Sequence, residues 1–158
     1  MALSPSTLAS GLETQWLVPD GGSHPSSPAE SGDKFAGVVS NWFATAMAGA
    51  FPCATATARR AQLAAAATAA IQAGDASLAG MQLAQGVAGY VVGQVFGAGV
   101  ASFPAAVGAA QSAITGAFSK LDLPGNARAN QIATGLYTLA ISTIVIFPPV
   151  ISPPVPVM

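Results

Sequence analysis

Apolar residues recur at helical spacing along most of this chain of 158 residues, and the pattern predicts a mainly helical protein. The spacing is clearest within residues 28–50, where Phe35, Trp42 and Phe43 fall on one face. A stripe of aromatic side chains on a helix is more often buried core than a ligand site. These three residues are therefore our candidates for the internal core.

Residues with known preferences for helix ends divide the rest of the chain into further helices. Ser4, Ser27 and Asp75 are suitable N-caps, and Gly74 suits the end of a helix. Pro52 is expected to end the aromatic helix. The other predicted helices cover residues 4–18, residues 54–72, the stretch from 76 to about Ser119 with an interruption at Pro104, and a last segment that starts near Ala127 after a turn at 120–127.

The composition changes near Thr138, where β-branched residues become frequent and predict a short strand. The following segment 147–158 is rich in proline, which favours an extended, polyproline-like conformation. No internal repeat of fixed period is evident. We predict a mainly α fold: a small helical bundle with long Ala/Gly-rich helices, one short C-terminal β-strand and an extended Pro-rich tail. Its parts are a short helix and loop arm at 1–29, a helical domain at 30–140, and a strand and Pro-rich arm at 141–158.

Charged side chains make up 7% of the chain, whereas ordinary soluble domains are about one quarter charged. A surface with so little charge presents apolar area, which is typical of an association face or a membrane face. The net charge of −1 provides no basic stripe for phosphate groups, so no nucleic acid partner is expected. The adjacent basic residues Arg59 and Arg60 are predicted to lie at a solvated helix end.

The residues that carry chemistry are few and scattered. Cys53 is the single cysteine, which excludes an intrachain disulfide, and His24 is the single histidine, within a loop rich in Gly, Ser and Pro. Glu30 and Asp33 are predicted to lie near the start of a helix, where the positive end of the helix dipole stabilises negative charge, rather than to form an acid–base pair. We therefore predict no catalytic residue, no cofactor-binding residue and no metal ligand, and we expect that the protein is not an enzyme.

The uncharged stretch 76–119 allows two interpretations. In the first, residues 83–103 form a membrane helix, because about 20 apolar residues span a bilayer. Gly89, Gly93 and Gly97, spaced four apart, suit helix association in lipid, and the protein would be a small glycine-zipper membrane protein, holin-like or pore-forming. In the second, the small residues allow close helix packing inside a large assembly, where interfaces cover the sparsely charged faces.

Three features favour the assembly over the membrane. Ala and Gly contribute little to transfer into lipid, glutamines interrupt the most apolar window, and no cluster of Lys or Arg flanks it to set an orientation. A secreted or surface-layer adhesion protein is a third possibility, although the amino terminus shows no basic region followed by an apolar stretch.

The order of segments resembles a diffuse group of small Ala-rich structural proteins of tailed bacteriophages. The similarity lies in a short amino-terminal helix, the aromatic helix KFAGVVSNWFATAMAGA, the Ala-rich helices, and the run ANQIATGLYTLAISTIVIFPP before a proline-rich tail. It covers residues 30–150. The resemblance implies a virion component of the tail, neck or baseplate region, and it carries over no functional residue.

We therefore predict a structural component of a phage-like particle that acts by multi-copy packing and arm-mediated contacts. Its expected partners are copies of itself and other virion proteins, and its expected location is the virion, assembled in the host cytoplasm. A membrane location is expected only under the alternative interpretation, a small glycine-zipper membrane protein. The candidate for intersubunit contact is 141–158, added as a strand to a neighbour's sheet. Burial of apolar area would supply the binding free energy, at about 25 cal/mol per Å².

Overall fold

The computed structural model describes residues 3–17, 22–148 and 153–158, and within these ranges the protein is mainly α-helical, as predicted. A π-helical turn, Glu13–Leu17, continues the first helix. The six α-helices are α1 Pro5–Leu12, α2 Pro28–Phe43, α3 Arg60–Ile71, α4 Ala76–Val91, α5 Val107–Ser119 and α6 Gly125–Ile141. Ser27 and Asp75 are N-caps as predicted, because their side chains accept hydrogen bonds from the amides of Glu30 and Leu78.

The described residues contain six short strands rather than the single strand predicted. They are β1 Met47–Ala48, β2 Phe51–Pro52, β3 Val95–Phe96, β4 Gly99–Ala101, β5 Ile144–Ile146 and β6 Val155–Pro156. All pairings are antiparallel: β1 pairs with β2, and β3, β4, β5 and β6 form a second sheet in that order. Gly49 and Gly97 adopt positive φ values of 60° and 61° in the turns of the first two hairpins, a conformation that favours glycine.

The described residues form three similar units, in each of which a β-hairpin follows one helix and a second helix packs against that helix. The first units are α2–β1–β2–α3 and α4–β3–β4–α5, and the third is α6–β5–β6, against which α1 packs from the other end of the chain. In each unit the same backbone bond closes the hairpin base. These bonds run from Cys53 N to Ala46 O (3.0 Å), from Ala101 N to Gln94 O (2.8 Å), and from Val157 N to Thr143 O (3.0 Å).

This repeat was not evident in the sequence, because the equivalent positions hold chemically different residues. Ala46, Gln94 and Thr143 occupy the same place in the three units, and all three are buried. The first helices of the units begin at residues 28, 76 and 125, which are almost evenly spaced. The repeat is therefore one of backbone arrangement and not of side-chain pattern.

Hydrogen bonds between successive units join the three hairpins into a closed ring. The residue directly after the amide that closes each hairpin base donates its own amide to the first strand of the next hairpin. The three bonds run from Ala54 N to Val95 O, from Ser102 N to Ile144 O, and from Met158 N to Met47 O, each 2.8 Å long. The amide of Met47 also donates to Met158 O at 2.9 Å. We call this arrangement the hairpin ring.

The C-terminal segment differs from its predicted form. Helix α6 continues to Ile141, past the predicted change to strand, and Val157 is buried in the common core. Tail residues thus complete the ring of their own chain rather than extending as a free arm. Residues 149–152 of the predicted arm lie outside the described residues. Proline is tolerated here because the amides of the non-proline residues Val157 and Met158 make the bonds.

One hydrophobic core includes residues of all three predicted parts, from Leu3 to Val157. Phe35, Trp42 and Phe43 are buried, as predicted. The rings of Phe35 and Trp16 meet edge to face with centroids 4.9 Å apart, and the indole N–H of Trp42 donates to the carbonyl of Ser4 at 2.9 Å. The amino-terminal helix is therefore fixed to the core.

The glycines of the uncharged stretch do not lie along one helix face. Helix α4 ends at Val91, and Gly93 and Gly97 have positive φ values in the chain reversal that follows. The continuous helix expected over 83–103 is therefore absent, and β3 and β4 occupy its second half. Among the helices that the structure describes, none combines the length and apolar character needed to cross a membrane.

Close helix contacts depend instead on glycines at other positions. A Cβ atom on Gly80 of α4 would lie 2.9 Å from the backbone N and 3.0 Å from the Cα of Thr115 on α5. Gly32 occupies the same place in the first unit, where a Cβ would lie 2.7 Å from the carbonyl oxygen of Ala64 on α3. The helix pairs of the first two units are thus held at backbone contact distance by equivalent glycines.

We expect Gly80→Ala to lower the free energy of unfolding by about 1–3 kcal/mol, because the added methyl group overpacks a contact with backbone atoms that cannot rotate away. Chemical denaturation followed by circular dichroism measures the change. Gly108→Ala is the matched control, since a Cβ there meets no atom within 4 Å and α5 continues through that position. Equal stabilities of the two variants would contradict the close contact.

Deletion of residues 153–158 removes the Met47–Met158 bond pair and the buried Val157 side chain, and we expect it to cost about 3–6 kcal/mol of folding free energy. Thermal unfolding should show a lower midpoint and weaker cooperativity. Met158→Ala keeps the backbone bonds and should stay close to the unaltered protein. An unchanged midpoint after the deletion would mean that the tail is not part of the ring.

Candidate functional site

A small cluster of polar side chains lies at the joint between the first two hairpins. Gln94 is fully buried, and its amide nitrogen donates to the carbonyl of Tyr90 at 3.0 Å. The side-chain oxygen of Gln94 accepts from the hydroxyl of Thr55 and from the thiol of Cys53, the latter at 3.6 Å. The Tyr90 hydroxyl donates to the carbonyl of Ala56 at 2.9 Å. Each side chain in the cluster thus ties one unit to the next.

Burial determines the protonation of this cluster. It raises the pKa of the Cys53 thiol above its ordinary value, although hydrogen bonds from the amides of Thr55 and Ala56 oppose the effect. Burial also raises the pKa of the Tyr90 hydroxyl. Both groups therefore stay protonated near neutral pH and serve as hydrogen-bond donors. A thiol in this state is a weak nucleophile, so the geometry supports a structural role for Cys53.

Arg59 and Arg60 were predicted to lie at a solvated helix end, but both side chains also bond to other helices. The guanidinium group of Arg59 donates to the carbonyls of Val92 and Gly89 at the carboxyl end of α4. Arg60 forms an ion pair with Asp33 of α2, with 2.6 Å between the nitrogen and oxygen atoms. The two arginines therefore connect α3 with α2 and α4. Only the tertiary structure shows this role.

The other charged side chains gather at the end of the helices opposite to the hairpin ring, which we call the polar end. The hairpins follow the carboxyl ends of α2, α4 and α6, whereas the charges lie near the start of these helices or in the loops before them. The charged residues of the polar end within the described ranges are Glu13, Glu30, Lys34, Asp75, Lys120, Asp122 and Arg128. Helix α2 has 16 residues and is about 24 Å long, which gives the separation of the two ends.

Glu30 shows how the polar end is organised. The hydroxyl and the amide of Ser26 donate to its carboxylate at 2.6 and 2.7 Å, and the ammonium group of Lys34 lies 3.3 Å away. The hydrogen bonds from Ser26, supported by Lys34, lower the pKa of Glu30 to about 2. Its charge is thus fixed at the start of α2, where the helix dipole favours it, as predicted.

The polar end also contains an open cavity of about 440 Å³ beside Trp16 and Phe118. Its wall includes both Asp75 and Arg128, and the Nε of Arg128 donates to the carbonyl of Ala117 at 3.0 Å. Opposite charges on one wall do not select a ligand of either sign. Within the described residues, no three His, Cys, Asp or Glu side chains lie together as metal ligands would.

The hairpin ring differs from the polar end because its exposed apolar side chains lie side by side on paired strands with no charged side chain among them. Strand residues alternate between inside and outside, so that Val145 is buried while Ile144 and Ile146 are exposed. Cross-strand pairing places Val100 beside Ile146 and Pro156 beside Ile144 on the same outer side. We define the hairpin face as the five outward residues Val100, Ile144, Ile146, Pro156 and Met158.

The exposure of these side chains is large for apolar residues. Ile146 is 56% exposed and Val100 is 48% exposed, and the neighbouring Phe103 reaches 61%. Residues 92–106 and 129–158 contain no Asp, Glu, Lys or Arg, so no ionised side chain of these segments interrupts the face. A continuous apolar surface of this kind marks an interaction site more often than a solvent-exposed wall.

The contact segment predicted from the sequence contains part of this face but not all of it. The predicted contact segment 141–158 includes Ile144, Ile146 and Met158, but it was expected to act as a free arm. Val100 and Phe103 were assigned to a helical stretch. The signal that could have found them is the alternation in VFGAGVA at 95–101, where glycines between apolar residues are typical of a hairpin.

Comparisons with protein-family models, with curated proteins and with solved structures find no match to this chain. The fold and the surface are therefore the basis for inferring its function.

We expect the thiol of Cys53 to react with a thiol reagent at pH 8 at least about 100-fold more slowly in the folded protein than in denaturant, because both burial and the raised pKa reduce the accessible thiolate. Absorbance of the released leaving group measures the rate. The control is Ile146→Cys in a Cys53→Ala background, which places a thiol on the hairpin face and should react rapidly. Rapid labelling of native Cys53 would contradict the buried joint.

Proposed function

We propose that this protein is a structural component of a phage-like particle, in the tail, neck or baseplate region, and that it acts by multi-copy packing through its hairpin face. The observation that carries the proposal is the exposure of uncharged apolar residues on the hairpin ring, represented by Ile146 and Val100. The resemblance of the chain to small Ala-rich phage proteins supports the choice of a virion, assembled in the host cytoplasm.

The proposed contact is adhesive and involves no catalysis. Each exposed apolar side chain that leaves water contributes about 25 cal/mol per Å² of buried area. The strand amides and carbonyls named above are already paired around the ring, so an approaching surface meets side chains rather than free backbone groups. This favours packing of one face on another over the addition of a strand from a tail, and other virion proteins or further copies are the proposed partners.

The alternative of a glycine-zipper membrane protein has less support. It depended on a helix that carries Gly89, Gly93 and Gly97 along one side, and two of these glycines lie beyond the end of α4. No basic stripe is present to support nucleic acid as a partner.

The proposal predicts that purified particles of the phage that encodes this chain contain it in several copies, and that the hairpin face is needed for incorporation. We expect Ile146→Glu to reduce the amount per particle at least about tenfold, because a carboxylate would be buried without a partner at a cost of several kcal/mol. Quantitative mass spectrometry of purified particles measures the amount.

Leu121→Glu is the matched control for this experiment. Leu121 is also a large exposed apolar residue, at 76%, but it lies in the loop between α5 and α6 at the polar end. Its variant should be incorporated normally, and circular dichroism should show that both variants are folded. Absence of the unaltered chain from particles would overturn the proposed function.

A further inference from the structure

We propose that the partner of the hairpin face is the hairpin face of a second copy of this chain, so that two copies form a closed, twofold-symmetric dimer. The inference rests on the proposed function and specifies the first step of the packing. It follows from three properties of the molecule: the separation of its two ends, the absence of charge on the face, and the extent of the apolar ring.

The separation of the ends decides between the two ways in which copies can associate. A head-to-tail contact would place the apolar face of one copy against Glu30, Asp75 and Asp122 at the polar end of the next. Those carboxylates would lose water without gaining a partner, which is costly. A contact between two hairpin faces buries apolar area on both copies and leaves both polar ends in solvent. Such a contact is isologous and closes at two copies instead of growing into a filament.

The absence of charged side chains makes the face compatible with itself. Residues near a twofold axis face their own counterparts, so a single charged side chain there would meet a like charge and oppose association. The hairpin segments 92–106 and 142–158 carry no ionisable side chain. Arg59, which lies near the end of α4, has its guanidinium group engaged by the carbonyls of Val92 and Gly89.

The ring provides more apolar surface than one hairpin could. Because the three units have equivalent backbone bonds, Pro52, Val100 and Pro156 occupy matching positions, each directly before the amide that closes its hairpin. All three are exposed and uncharged. A stable interface needs about 800 Å² from each partner, which is more than one two-residue strand pair can supply. Apolar outward positions on all three hairpins allow the second copy to contact the whole ring.

Cysteine cross-linking of the full-length chain tests the geometry. In a Cys53→Ala background, Ile146→Cys should form a disulfide-linked dimer under mild oxidation. Leu121→Cys in the same background is the control and should remain largely monomeric on the non-reducing gel. A third chain carries both cysteines. In that chain, disulfides between position 146 of one copy and position 121 of another, or a ladder of products larger than two chains, would indicate head-to-tail association and overturn the inference.

Charge complementation in sedimentation equilibrium provides a second measurement. Ile146→Glu and Ile146→Lys should each raise the dimer dissociation constant at least about tenfold, since like charges meet at the interface. An equimolar mixture of the two variants should regain dimerisation, because opposite charges then face each other. Recovery in the mixture supports a contact between the two hairpin faces, and unchanged dimerisation of both single variants would overturn it.

The outcomes separate this inference from the proposed function. A monomer at all concentrations, with normal incorporation into particles and loss of incorporation on Ile146→Glu, overturns only the second copy as partner. Sedimentation of the monomer with phosphatidylcholine vesicles, abolished by Ile146→Glu, identifies lipid as the occupant of the face and also overturns the inference. A dimer that is absent from purified particles supports the inference and overturns the virion role.

Discussion

The amide that follows each hairpin donates to the first strand of the next hairpin, and this repeated bond sets the architecture. From Ala54 to Val95, from Ser102 to Ile144 and from Met158 to Met47, it connects the three units at equivalent positions. Because the last bond joins the end of the chain to its first hairpin, the ring closes. Closure requires the helices to follow one another around the core, with α1 between α6 and α2. It also satisfies backbone groups that short isolated strands would leave unpaired.

Small side chains are the second condition for this arrangement. Two-residue strands contribute little pairing, so the helices must supply most of the buried contact. Gly32 and Gly80 let backbones approach where a methyl group would collide, and alanines fill much of the remaining interior. Charge contributes little to cohesion, since the two ion pairs among the described residues, Glu30 with Lys34 and Asp33 with Arg60, lie at partly exposed positions. The same composition that permits close packing leaves few groups to keep the outer surface polar.

The remaining polar groups are distributed unevenly between the two ends of the molecule, and this distribution connects the fold with the proposed role. Helix starts and the loops before them carry the carboxylates and amines, whereas helix ends lead into hairpins without charge. At the joint between the first two units, hydrogen bonds connect the side chains of Gln94, Thr55 and Cys53 with one another. The molecule therefore has one end suited to water and one face suited to another apolar surface. That asymmetry is a physical reason for association with a defined orientation.

The sequence by itself determined the features that depend on neighbours along the chain. Ser27 and Asp75 cap helices, Phe35 and Trp42 lie on a buried face, and the helical content follows from spacing and propensity, because these signals act within one or two turns. The predicted C-terminal strand is present as β5, whereas only the tertiary structure decided the other strands, the ring and the place of the tail. A two-residue strand has no periodicity to detect, and the bond between Met47 and Met158 joins residues that are far apart in the sequence. The spacing of Gly89, Gly93 and Gly97 suits both a helix face and a turn, and the choice depends on partners that fold in from elsewhere.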